Sequence, residues 1–160
     1  MDILCQRDGC MVFLKHTSEP RIDILQMDIS QTLTSDDLET IITIMVTYMK
    51  HSEQRFVVHA CHISSHISAL DFPAILTIVG KLVECKEIVD TRLKGTIVQG
   101  DIDEFAIAAK DVFLTMYKPA KPFNIVQTDE QVQTFLAPLL KHEHMKRTRK
   151  NNGTENTTFL

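Results

Sequence analysis

The stretch that decides the fold is residues 56–83, FVVHACHISSHISALDFPAILTIVGKLV. Phe56, Val57, Val58, Ala60, Cys61 and Ile63 make an almost unbroken apolar run. Such a run fits a strand covered on both faces better than a strand half in water. It ends in Ser64-Ser65-His66. Ser68-Ala69-Leu70-Asp71 then has the spacing of a capping box, in which two side chains satisfy orphan N–H groups at a helix start. Pro73 suits the first helical turn, where no N–H partner is needed. Phe72, Ile75, Leu76, Val79, Leu82 and Val83 follow as one stripe at helical spacing, which predicts a buried helix. Strand, turn and helix in succession are half of a βαβ unit.

Upstream, residues 3–5 predict a short edge strand and residues 11–14 a better one, joined through the turn dipeptide Asp8-Gly9. Residues 21–29 alternate, with Ile22, Ile24 and Gln26 on one face and Asp23, Leu25 and Met27 on the other. Thr34 or Ser35 caps a first helix whose stripe is Leu38, Ile41, Ile42, Met45 and Met49, with Asp36, Asp37 and Glu39 at the positive end of its dipole. Downstream, residues 96–99 predict a strand. Asp101 to Asp103 lead into a helix through Phe105, Ala108, Ala109, Val112, Phe113 and Met116, stopped by Pro119 and Pro122. Residues 123–127 predict the last strand. Thr128-Asp129-Glu130-Gln131 is a second capping box, opening a helix through Val132, Phe135, Leu136 and Leu139 that Pro138 should kink or end.

The expected class is therefore α/β: a mixed sheet of about 4–6 strands with about four helices, antiparallel at its start and then built by βαβ crossovers. Three crossovers through single helices demand parallel neighbours. Residues 1–145 read as one domain and residues 146–160 as a disordered basic, polar tail.

Composition narrows the function. Apolar content of 44% and charged content of 24% are ordinary for a globular chain. No apolar run approaches the roughly 20 residues of a membrane span, and the opening MDILCQRDGC is not a signal peptide. A cytoplasmic location is expected. Cys5, Cys10, Cys61 and Cys85 follow no Cys-x-x-Cys spacing, which predicts reduced thiols, two of them buried. The net charge of −4 conceals an asymmetry. Residues 141–160 carry +3, leaving −7 on the rest, a poor surface for nucleic acid.

His59, Cys61, His62 and His66 are all soft-metal ligand types. On a strand, however, His59 and Cys61 share one face and His62 points to the other. A tetrahedral site would require a sharp turn after His62, so no metal is expected and strand-end polar residues are the simpler reading. A Cys–His nucleophile would require an exposed, acidified thiol, whereas Cys61 sits in an apolar strand. The five glycines form no phosphate loop. Asp101, Asp103 and Glu104 are explained by capping. No catalytic residue and no cofactor are expected.

The element order, with residues 56–63 feeding an apolar helix, resembles the STAS domain of anti-sigma-factor antagonists and sulfate transporters. Lys94-Gly95-Thr96-Ile97-Val98, then Val112-Phe113, then Lys121-Pro122-Phe123-Asn124-Ile125-Val126 is similar to the C-terminal half of STAS-like and CRAL-TRIO domains. The resemblance spans residues 11–140. It implies a non-catalytic regulatory domain that binds another protein, with a phosphorylation switch at the helix start after the central strand, where a phosphate meets the positive dipole end. The family's Asp-Ser-Ser-Gly is absent, and this chain reads Ile67-Ser68-Ala69-Leu70-Asp71 instead. Ser68 is the nearest acceptor, with Ser64 and Ser65 before it and Asp71 after. The alternative the resemblance offers is a CRAL-TRIO-like module holding a small apolar ligand or lipid between sheet and helices.

Overall fold

The Asp8-Gly9 dipeptide makes the first turn, and Gly9 takes the positive φ of 81° that its lack of a Cβ permits. The structure is a computed structural model and describes residues 1–19, 21–62 and 72–152. Gly9 joins β1 (Asp2–Arg7) to β2 (Cys10–His16), and β3 (Ile22–Ile29) pairs with β2 antiparallel. Then come α1 (Ser35–His51), β4 (Arg55–His62), α2 (Phe72–Glu84), α3 (Lys86–Arg92), β5 (Leu93–Gln99), α4 (Glu104–Met116), β6 (Phe123–Val126) and α5 (Asp129–Asn152). These six strands and five helices, counted among the described residues, form one mixed α/β sheet in the order β1-β2-β3-β4-β5-β6. From β3 to β6 every pairing is parallel.

That order fixes the layers. Crossovers of one hand that always step the same way place their helices on one face. The core on that face joins Val12, Leu14, Leu25, Met27 and Ile29 of the strands to Leu38, Ile41, Met45 and Met49 of α1 and Ala74 of α2. On the opposite face, α5 closes a smaller core with Val132 and Leu136 against Ile22, Val57, Ile97 and Val126. Phe56 and Val57 explain why β4 is central. They are adjacent, fully buried, and serve opposite cores.

Local signals hold where side chains reach backbone. Thr34 caps α1, its Oγ1 accepting from Asp37 N–H at 3.1 Å. Asp103 caps α4 through Ala106 N–H at 2.8 Å. The second capping box closes reciprocally: Thr128 Oγ1 accepts from Gln131 N–H at 3.3 Å, and Gln131 Oε1 accepts from Thr128 N–H at 3.1 Å. The box expected at Ser68 and Asp71 lies outside the described residues.

Four expectations are corrected. The β4–β5 crossover runs through two helices, because α3 follows α2 after one residue, Cys85. Strand β5 begins at Leu93, three residues earlier than its apolar core suggested. Pro138 does not end α5; it lies on the exposed side, away from the contacts of Leu136 and Leu139. Of the four cysteines only Cys10 is buried; Cys5, Cys61 and Cys85 are half-buried.

Candidate functional site

The residues facing the α1–α4 layer come from alternate positions of the parallel strands. Their register aligns them in rows. Met27 pairs with Ala60, Ala60 with Val98, and Val98 with Ile125. One step earlier Val58, Thr96 and Phe123 form a second row. The rows hold small or β-branched side chains at their middle, Ala60, Val58, Thr96 and Val98. They leave space between the sheet and the helices above. That space is a cavity of about 210 Å³.

Its floor is the two rows, and its roof comes from four helices. Ile42, Met45 and Val46 project from α1, Ile75, Ile78 and Leu82 from α2, Val89 from α3, and Ala106, Ala109 and Phe113 from α4. The lining is almost wholly apolar.

The polar residues of the lining are Asp90, Thr96, Lys110, Tyr117 and Lys121. Asp90 and Lys121 lie just before β5 and β6, Tyr117 just after α4, Lys110 within α4 and Thr96 within β5. Asp90 is engaged by Lys86. Burial, and then the Asp90 carboxylate, push the Tyr117 hydroxyl above its ordinary value, so it stays a protonated donor. Among the described residues neither Lys110 nor Lys121 forms an ion pair.

The opposite face holds the residues of the suspected metal cluster. His59 and Cys61 do share a face, as their parity requires. Both meet Gln99 of β5: His59 Nε2 lies 2.8 Å from the Gln99 Oε1, and Cys61 Sγ lies 3.8 Å from it. Gln99 Nε2 in turn donates to Asp129 at the start of α5, at 2.7 Å. Desolvation lowers the His59 value and raises that of Cys61. Each shift favours the neutral form, the reverse of an activated thiolate–imidazolium pair. The side chain of His62, and all of His66, lie outside the described residues. Among those described, no three His, Cys, Asp or Glu side chains converge to hold a metal ion.

The expected switch residues Ser64, Ser65, Ser68 and Asp71 also lie outside the described residues. The helix they lead into is placed, and its exposure was not foreseen. Ala74, Ile75, Ile78 and Leu82 face inward, while Phe72, Leu76 and Val83 face solvent. The buried face is turned by about one residue's rotation from the predicted stripe. On α4 likewise, Ala106 is buried while Phe105, Ile107, Val112 and Met116 are exposed. The cavity itself was missed as a set of positions. The signal available was the run of small and β-branched residues at strand centres, opposite helices with inward alanines.

No protein-family model, no curated protein and no solved structure matches this chain. No helix among the described residues is long and apolar enough to cross a membrane.

Proposed function

We propose that the chain is a binding module that holds a small apolar ligand between its sheet and the α1–α4 layer. The cavity of about 210 Å³ with its nearly unbroken apolar lining carries this reading. An engineered apolar cavity of roughly 150 Å³ stays dry and takes up benzene, so the space here suits a somewhat larger apolar body. A ligand that binds the folded state alone also stabilises it by mass action. The test is organic extraction of protein purified without detergent, followed by mass spectrometry. A stoichiometric apolar compound is the expected result; a cavity that yields none and takes up no added aliphatic probe sinks the reading.

A separate observation favours protein docking as a second reading. Phe72, Leu76 and Val83 on α2, and Phe105, Val112 and Met116 on α4, expose large apolar side chains on two helices of one layer. The partner such a surface fits is an amphipathic helix, which lays its apolar stripe against helices. The antiparallel opening followed by parallel crossovers supports a STAS-like kinship, in which partner binding is the rule. A regulatory role switched at Ser68 belongs to this reading. A pull-down comparing wild type with Ser68→Glu and with Leu76→Glu should lose the partner in both. Capture unchanged by Leu76→Glu removes the α2 surface from consideration.

A further inference from the structure

We infer that the cavity takes a medium-chain carboxylate, its acyl tail on the sheet floor and its head between Lys110 and Lys121; this rests on the apolar-ligand reading. The argument is one of charge. The lining is apolar but for Asp90, Thr96, Lys110, Tyr117 and Lys121, of which Asp90, Tyr117 and Lys121 lie at the end where β5 and β6 begin. There the Asp90 charge is already matched by Lys86. Lys110 and Lys121 are half-buried and without an ion pair among the described residues. Two half-buried lysines that line an apolar space without a counter-charge complement an anion that carries a tail. They repel a cation and give no particular advantage to a neutral body. Tyr117, a protonated donor whose hydroxyl has no hydrogen-bond partner among the described residues, adds a third hydrogen-bond donor to the lining.

Volume sets the tail. The cavity of about 210 Å³ exceeds the benzene-sized case and falls below the ~300 Å³ at which drug-sized pockets begin. Scaling from the benzene case gives room for about eight acyl carbons within the cavity. Head placement follows from topology. Lys121 lies two residues before β6, Asp90 three residues before β5, and Tyr117 just after α4. The head therefore sits at the edge where the parallel strands begin, and the tail runs under α2 and α1 toward Met27 and Ile29.

The experiment is isothermal titration calorimetry of the full chain with three probes below their micellar concentrations: decanoate, decanol and decyltrimethylammonium. Wild type is compared with a Lys110→Met/Lys121→Met variant, which keeps the aliphatic stems. Wild type should bind one decanoate, at least about tenfold tighter than decanol, since a hydrogen bond to a charged group is worth that much or more. The cationic probe should bind weakest. The double variant should bind decanol as wild type does and lose the preference for decanoate. If decanol binds as well as decanoate, or the double variant keeps the preference, the head assignment is overturned while the apolar cavity stands. If none of the three binds, both fall.

Discussion

One buried and one half-buried titratable group make the chemistry of single residues testable. Cys10 is buried against β3, and desolvation first, then the neighbouring Cys5, Asp28 and Asp37, raise its thiol to about 11. At pH 8 about one part in a thousand is thiolate. Labelling of native protein with a thiol-reactive disulfide should reach Cys5, Cys61 and Cys85 first and Cys10 only on unfolding; early modification of Cys10 would contradict its burial. His59 tests the other sign. Its folded value lies below the ordinary one, chiefly by desolvation. The unfolded chain then binds a proton that the folded chain refuses, so this residue's contribution falls as pH drops through and below the ordinary histidine range near about 6.5. His59→Gln should flatten part of the fall in urea midpoint between pH 7 and pH 5. The same slope in variant and wild type would show that His59 protonates freely when folded.

At the scale of elements, the two faces of α2 separate what the sequence discloses from what it hides. Period alone identified the helix and most of its length, because apolar residues at helical spacing survive whichever way the helix turns. It did not identify the buried side, since α2 is apolar nearly all round and Ala74, a small residue, takes a core position. β4 behaved similarly. Its apolar run announced a central strand, yet His59 and Cys61 on the α5 side are only half-buried, and Ala60 on the other face lines the cavity. Capping was legible at Thr34, Asp103 and Thr128 because it depends on neighbours in sequence. The α3 helix was not, since Lys86 to Arg92 pattern weakly and owe their helix to Val89 packing inward. The face assignment predicts unequal costs. Ile75→Ala should lose about 2–4 kcal/mol of stability, whereas Leu76→Ser should stay within about 0.5 kcal/mol, as read from denaturant midpoints. Equal costs would mean that α2 is rotated from the position described.

α5 poses the same question from the other side of the sheet, where a single glycine sets the approach. A Cβ at Gly95 would lie 3.1 Å from Leu139 Cδ1, 3.2 Å from Phe135 Cζ and 3.2 Å from the Pro122 carbonyl oxygen. The side chains can shift by a few tenths of an ångström; the carbonyl, which accepts from Thr96 N–H, cannot do so freely. Gly95→Ala should therefore destabilise by about 1–3 kcal/mol, in the range of overpacked cores, and should raise hydrogen exchange in the first turns of α5. A neutral or stabilising outcome would place α5 further from β5 than its packing requires.

For the whole molecule, the two faces of the sheet are unequal partners. The α5 face is closed by a short ladder of apolar contacts and a polar chain from His59 through Gln99 to Asp129. The α1–α4 face spans four helices but leaves a void between them and the two rows of small strand residues. A domain under no demand but stability would fill that space, because added methylenes there bring contacts without displacing any. Ala109→Leu puts such groups in the α4 part of the cavity lining. Filling should raise the thermal midpoint by a few degrees, since about 1 kcal/mol moves a domain of this size by roughly 2–4 °C. It should also abolish the stabilisation that decanoate or decanol gives the wild type, because the filled protein has no vacancy left to exchange. The two effects are linked by the same volume. A variant that gained stability yet still bound the probes would place the ligand elsewhere on the chain, and one that lost both would mean that the helices already close on the sheet more tightly than the rows of Ala60 and Val98 suggest.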